Sequence, residues 1–67
     1  MGSFGDAKSF LCLVINRHKG SEIAEYTINA INDYYAKTQA AKNFVNDQRY
    51  QKKLRQEVDW YVDACEI

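Results

Sequence analysis

The sequence predicts an all-α fold, a small three-helix domain or helical bundle that occupies residues 1–67 as a single unit. Two observations favour this class. The chain has no proline, and its glycines stand only at positions 2, 5 and 20, so that no strong helix breaker follows Gly20. Apolar residues also recur at helical spacing through two long segments, residues 21–37 and 47–66.

The first element, residues 7–18, is compatible with a helix or a strand. His18 suits the negative end of a helix dipole, and Gly20 can close a helix. However, the apolar run Phe10 to Ile15 points all round a helical wheel and is equally typical of a buried strand. A strand gives the alternative fold, one N-terminal strand followed by two helices in a strand-paired dimer. That order resembles ribbon-helix-helix proteins, but their ribbons expose polar residues at alternate positions, unlike this apolar run.

The second element, residues 21–37, has the clearest helical pattern. Ser21 is a suitable N-cap, and Glu22 and Glu25 place negative charge in the first turn, where the helix dipole favours it. One broad face is apolar and carries Ile23, Ala24, Thr27, Ile28, Ala30, Ile31, Tyr34 and Tyr35. Residues 38–46 are mostly polar and are interpreted as a hinge or a short helix.

The third element, residues 47–66, is predicted as a helix capped by Asn46 or Asp47. Its apolar stripe consists of Tyr50, Leu54, Val58, Tyr61, Val62 and Cys65. The chain has no net charge, yet residues 37–55 sum to +5 and residues 56–67 to −4. The third helix is therefore basic and then acidic, which opposes the helix macrodipole.

Trp60 is the candidate centre of a binding site, because on a helical wheel it points away from the apolar stripe. The wheel places Arg49, Lys53 and Gln56 beside it, and tryptophan and arginine are enriched among residues that dominate interface energies. These four residues are the predicted partner-binding set, and Lys52 and Arg55 are the predicted contacts to an anionic partner. The alternative is that Trp60 packs on the first element.

Chains shorter than about 70–80 residues seldom bury enough apolar surface to be stable without a further constraint, such as burial against another chain. With 67 residues, the chain is therefore expected to form a homo-oligomer or to bind a protein partner. The predicted function is a small non-catalytic regulator, an inhibitor or adaptor that binds protein through its C-terminal helix. The alternative is a nucleic-acid-binding regulator that uses the basic segment 49–55.

The sequence suggests no catalytic group, metal site or cofactor. His18 is the single histidine, and Cys12 and Cys65 are the only cysteines, so familiar zinc sites and catalytic triads lack their residues. The thiols are expected to be reduced, which favours a cytoplasmic location. The longest apolar run has six residues, far short of the roughly 20 that cross a membrane.

Overall fold

The computed structural model describes residues 7–56 and 59–67, which form a three-stranded antiparallel sheet with a layer of short helices on one face. The element bounds are β1 Lys8–Asn16, β2 Glu22–Ala30, α1 Asp33–Asn46, a 3-10 turn at Gln48–Tyr50, α2 Gln51–Gln56 and β3 Trp60–Glu66. The predicted all-α fold and helical bundle are therefore wrong. The alternative of one strand followed by two helices is wrong as well, because the second element is also a strand.

β1 is the central strand, and the sheet order is β2-β1-β3. Both neighbours run antiparallel to it and hence parallel to each other, so the chain between them must cross one face of the sheet. The strand interpretation of the first element is the correct one. Alternate side chains of β1 are buried, namely Phe10, Cys12, Val14 and Asn16, while Leu11, Leu13 and Ile15 between them are partly exposed.

A five-residue turn joins β1 to β2, and glycine is required at one position of it. Gly20 has φ +72°, in the left-handed region that other residues adopt at a cost. The buried Asn16 organises the turn, since its side-chain oxygen accepts hydrogen bonds from the backbone N–H groups of His18 at 2.9 Å and Lys19 at 2.8 Å. Gly20 thus turns a hairpin, where the sequence suggested that it closes a helix.

The predicted helix at residues 21–37 is wrong over β2 and correct only from Asp33 onward. Isoleucine, threonine and tyrosine pack well on a pleated sheet, so cross-strand burial favours a strand in this segment. Between Val14 and Ile15 the register against β2 shifts. At this irregularity both Ile23 and Ala24 are buried, which a regular alternation would not allow.

α1 crosses the sheet and seals one face of it. The side chain of Asn32 caps the helix by accepting from the N–H of Tyr35 at 3.0 Å, and Asp33 lies in the first turn. Ala36, Ala40 and Phe44 follow at four-residue spacing and are fully buried, so the helix approaches the sheet closely through its alanines. The segment interpreted as a hinge, residues 38–46, continues this helix.

The predicted third helix is also wrong over most of its length. Asp47 does act as a cap, but of the 3-10 turn, where its side chain accepts from the N–H of Arg49. α2 is only six residues long, and β3 occupies residues 60–66. In that strand, Trp60, Val62 and Ala64 alternate with Tyr61 and the other more exposed residues, so the predicted helical stripe is split between two faces. Val58 of that stripe lies outside the described residues.

The core lies between the sheet and α1 in two adjoining clusters. Phe10, Cys12, Ile28, Ala36 and Ala40 form one. The other is formed by Val14, Ile23, Ala24 and Phe44, with Tyr26, Tyr50, Leu54, Trp60 and Val62 packed against it. Within the described part of the chain, no helix combines the length and the apolar character needed to cross a membrane.

Candidate functional site

Trp60, the predicted centre of the binding site, packs into the helix-covered side of the sheet. It opens β3 opposite Asn16, and its ring meets Phe44 edge-on, with the centroids 5.0 Å apart and the planes at 76°. Its predicted outward position came from the 3.6-residue period of a helix, whereas a strand alternates every two residues. The side chain remains partly exposed, so partner binding by Trp60 stays a prediction.

Arg49 of the predicted set is already engaged within the chain. Its guanidinium pairs with Asp47 at 2.7 Å and lies 5.3 Å from the centre of the Tyr50 ring. Tyr26 donates its hydroxyl to the same carboxylate at 2.9 Å, which ties β2 to the helical layer. The hydrogen bonds from Arg49 hold the pKa of Asp47 well below its usual range, while burial and then the bond to Asp47 raise the pKa of Tyr26 to about 12.

The remaining predicted residues, Lys52, Lys53, Arg55 and Gln56, are exposed on α2. Among residues 7–56 and 59–67, the three cations take part in no ion pair. Lys53 and Gln56 therefore lie together on one short helix. The structure does not bring them together with Arg49 and Trp60 in a single apolar site.

Pairing of the three strands creates a surface that the periodicity of the sequence does not indicate. Leu11, Leu13 and Ile15 form a continuous apolar row along β1 on the face opposite α1. Their cross-strand neighbours on this face are Thr27, Glu25 and Glu22 of β2, and Tyr61, Asp63 and Cys65 of β3. We call these nine residues the open face. Within the described residues no helix lies on it, because α1 buries its apolar side chains against the opposite face.

The open face is acidic on both flanks of its apolar row. Leu13 is paired with Glu25 on one side and with Asp63 on the other, so that the two carboxylates stand in one row, roughly 10 Å apart at the backbone. Neither forms an ion pair with a described residue. This pattern, a narrow apolar row between two columns that carry negative charge, is what the structure adds to the sequence.

A cation, Arg17, lies at one end of the open face, and an acid of this chain already neutralises its charge. Arg17 lies 5.3 Å from the centre of the Tyr61 ring and donates to Asp59 at 3.0 Å. Nε2 of His18 lies 2.8 Å from the second oxygen of the same carboxylate. The charge that an incoming surface meets is therefore set by Glu25 and Asp63 beside Leu13 and by Glu22 beside Ile15, none of which forms an ion pair with a described residue.

The two cysteines lie on opposite faces of the sheet, although their strands are neighbours. Cys12 faces α1, is fully buried and donates its Sγ–H to the carbonyl of Ala36 at 3.7 Å. Cys65 is exposed on the open face, and both thiols are free. Burial raises the pKa of Cys12, which lowers the fraction of reactive thiolate at neutral pH.

Shallow grooves beside the N-terminal end of α1 offer little to a small molecule. One groove, of about 350 Å³, lies between β1, β3 and the start of α1 and is at the lower limit of the usual size of ligand pockets, but it is open and lined in part by charged side chains. Another, of about 270 Å³, lies between β2 and α1 and is just below that size. Its lining is Ile28, Asn29, Ala30, Ile31, Tyr35 and Gln39. In the described part of the chain, no three side chains of the types that bind metals are grouped together.

The chain matches no protein-family model, no curated protein and no solved structure with significance.

Proposed function

We propose that this chain is a small non-catalytic protein-binding regulator, an inhibitor or adaptor, that binds its partner through the open face of the sheet. The observation that carries the proposal is the apolar row Leu11, Leu13 and Ile15 on the central strand, with α1 on the other side only. The C-terminal helix to which the sequence assigned this role is a short helix and a strand.

The size of the open face suits a protein surface. A strand of nine residues rises about 3.3 Å per residue, and three strands lie about 4.8 Å apart, which gives a face of roughly 14 by 30 Å. That is about 400 Å² in all, with the apolar row in the middle and polar or charged side chains on its flanks, as in interfaces that have an apolar core and a polar rim. Exposed Tyr61 widens the apolar row beside Ile15 and supplies an aromatic side chain of the kind enriched in interfaces.

Two features of the cysteines support the non-catalytic role and the location that we propose. The raised pKa of Cys12 and its burial against α1 favour a packing role for this thiol over a nucleophilic one. We further propose a cytoplasmic location, which is supported by two cysteines on opposite faces that do not pair with each other.

The test compares partner capture by matched variants of the full chain. Leu13→Asn removes the centre of the apolar row, and Val45→Asn makes the same kind of change on the exposed side of α1. We expect wild type and Val45→Asn to retain the same protein from the native extract, and Leu13→Asn to lose it. Circular dichroism checks that both variants fold. Equal retention by Leu13→Asn would remove the open face as the binding site.

A second candidate function is binding of nucleic acid through α2, favoured by the exposure of Lys52, Lys53 and Arg55 without ion pairs in the described residues. The acids that follow α2 in the sequence lie on β3 or just before it and not on α2 itself, and the first described one, Asp59, pairs with Arg17. Added salt would weaken this binding steeply, and the triple variant Lys52→Gln, Lys53→Gln and Arg55→Gln would lose it. A flat low-salt titration against DNA and RNA eliminates this candidate.

A further inference from the structure

We propose that the occupant of the open face is a cationic amphipathic α-helix of a partner protein. Its aliphatic side chains would lie on Leu11, Leu13 and Ile15, and lysine or arginine on its two flanks would pair with Glu25 and Asp63. This inference rests on the function proposed above and specifies the chemistry of the partner.

The dimensions favour a single helix. With its side chains, an α-helix is about 10–12 Å wide, which covers the central strand and leaves both edge strands at its flanks. The apolar row from Leu11 to Ile15 is about 13 Å long, or between two and three helical turns. The covered face provides the precedent within this molecule, because α1 lies on the same three strands through residues spaced four apart, Ala36, Ala40 and Phe44.

The charges favour a cationic helix. Glu25 and Asp63 stand on either side of Leu13, and neither carboxylate is neutralised by a described residue. A helix that seats an aliphatic residue on Leu13 therefore presents its flanking positions to one carboxylate on each side. Opposite charges there strengthen binding by roughly two- to fivefold each and, more sharply, select against anionic helices.

The same charges disfavour a second copy of this chain, the occupant that the predicted homo-oligomer would place here. Two copies can meet face to face with the two-fold axis either along or across the strands. Because Glu25 and Asp63 share the row of Leu13, either arrangement centred on Leu13 sets carboxylates against carboxylates. Anionic phosphate surfaces, whether nucleic acid or lipid, meet the same repulsion.

The experiment measures binding of two synthetic 18-residue amphipathic peptides to the full chain by fluorescence anisotropy. Both carry leucines on one face, and they differ only in whether lysine or glutamate flanks that face. We expect the lysine peptide to bind at least tenfold more tightly than the glutamate peptide, and Leu13→Asn to weaken it by about tenfold or more. Backbone and methyl NMR shifts should centre on Leu11, Leu13 and Ile15.

Charge reversal gives the sharper test. The double variant Glu25→Lys with Asp63→Lys should prefer the glutamate peptide, a reversal of selectivity that a merely destabilised protein would not show. The matched control, Asp33→Lys with Glu66→Lys, makes the same change in net charge away from the open face and should keep the wild-type preference. Circular dichroism confirms that both double variants fold.

The outcomes separate this inference from the proposed function. If Leu13→Asn abolishes capture of the native partner but charge reversal leaves peptide selectivity unchanged, the cationic helix is wrong and the protein-binding face stands. If Leu13→Asn changes neither capture nor peptide binding, both proposals fail. A wild-type dimer by light scattering that Leu13→Asn dissociates would identify a second copy as the occupant and overturn the inference.

Discussion

On the central strand, the two faces of the sheet carry similar residues, but these residues differ in how deeply they are buried. On the covered face, Phe10, Cys12 and Val14 are at most 5% exposed, whereas Leu11, Leu13 and Ile15 on the open face are only partly buried. The flanking strands explain the difference. They supply Ala24, Tyr26, Ile28, Val62 and Ala64 to the covered face, but Glu22, Glu25, Thr27, Tyr61, Asp63 and Cys65, which are mainly polar, to the open face.

An apolar run on a central strand does not by itself determine what covers it. A strand that is apolar at every position is typical of sheets with both faces covered. Here the described chain covers one face, and the strands that flank the apolar row on the other face carry mainly polar and charged side chains. The described residues thus form two layers, the sheet and its helices, with the apolar row of the central strand at the surface.

The largest expected effect comes from removing the anchor of the covered face. Phe44→Ala should lower the free energy of unfolding by about 3 to 5 kcal/mol, because Phe44 is fully buried against Trp60 and Val14. Leu13→Ala on the open face should cost roughly 1 kcal/mol. Urea denaturation followed by circular dichroism gives both values.

If Phe44→Ala is unfolded at room temperature, a variant that leaves a smaller cavity still allows the stability of the two faces to be compared. Phe44→Leu should fall between the two alanine variants. Equal losses for Phe44→Leu and Leu13→Ala would contradict the distinction between the faces, since the open face would then be packed as tightly as the covered one.

The next effect is a difference in thiol reactivity across the sheet. In the folded protein, Cys65 should react with iodoacetamide more than a hundredfold faster than Cys12. Cys12 is buried under α1, so the reagent reaches it only when α1 separates from the sheet. Mass spectrometry of the single-thiol variants Cys12→Ala and Cys65→Ala assigns the rates. Equal labelling would mean that the covered face opens readily, and protection of Cys65 by a bound helix would sharpen the assignment of the open face.

How much of this could be predicted from the sequence differs between the elements. The strand alternative for residues 7–18 was correct, because a short run apolar at every position admits both structures. Residues 22–30 misled, since Ile23, Thr27 and Ile28 fit a helical period as well as Ala24, Tyr26, Ile28 and Ala30 fit the period of a strand. Nine residues are too few for periodicity to separate them.

The candidate site could not be predicted because it arises from pairing between distant segments. Glu25 and Asp63 are 38 positions apart in sequence and share a row only through the register of β1 with both neighbours. The weak signals that were present were the turn residues around Gly20 and the alternation of Trp60, Val62 and Ala64 in a segment rich in sheet-forming residues. The lack of proline and glycine after Gly20 outweighed them.

A smaller effect is expected at the hairpin that joins β1 to β2. Gly20→Ala should cost about 1 to 2 kcal/mol, because φ is +72° and an added Cβ has no atom within 4 Å to clash with, so that only backbone strain contributes. Gly20→Asn should lose less, since asparagine tolerates this conformation. Peptide binding and the thiol rate ratio should stay unchanged in both variants, because neither face is altered.

The smallest effect is confined to acidic pH and concerns the ion pair of the helical layer, in which Arg49 holds the carboxylate of Asp47. Since Arg49 holds the pKa of Asp47 below its ordinary value of about 3.9, the folded state binds fewer protons there than the unfolded chain. This contribution to stability is complete above pH 4 or so and is lost as the pH falls further. Asp47→Asn should therefore be less stable than wild type at pH 7, with the gap closing on acidification in urea titrations at several pH values. The control Val45→Asn, which changes no titrating group, should keep a constant offset from wild type. A constant offset for Asp47→Asn as well would show that its carboxylate contributes nothing as an ion pair.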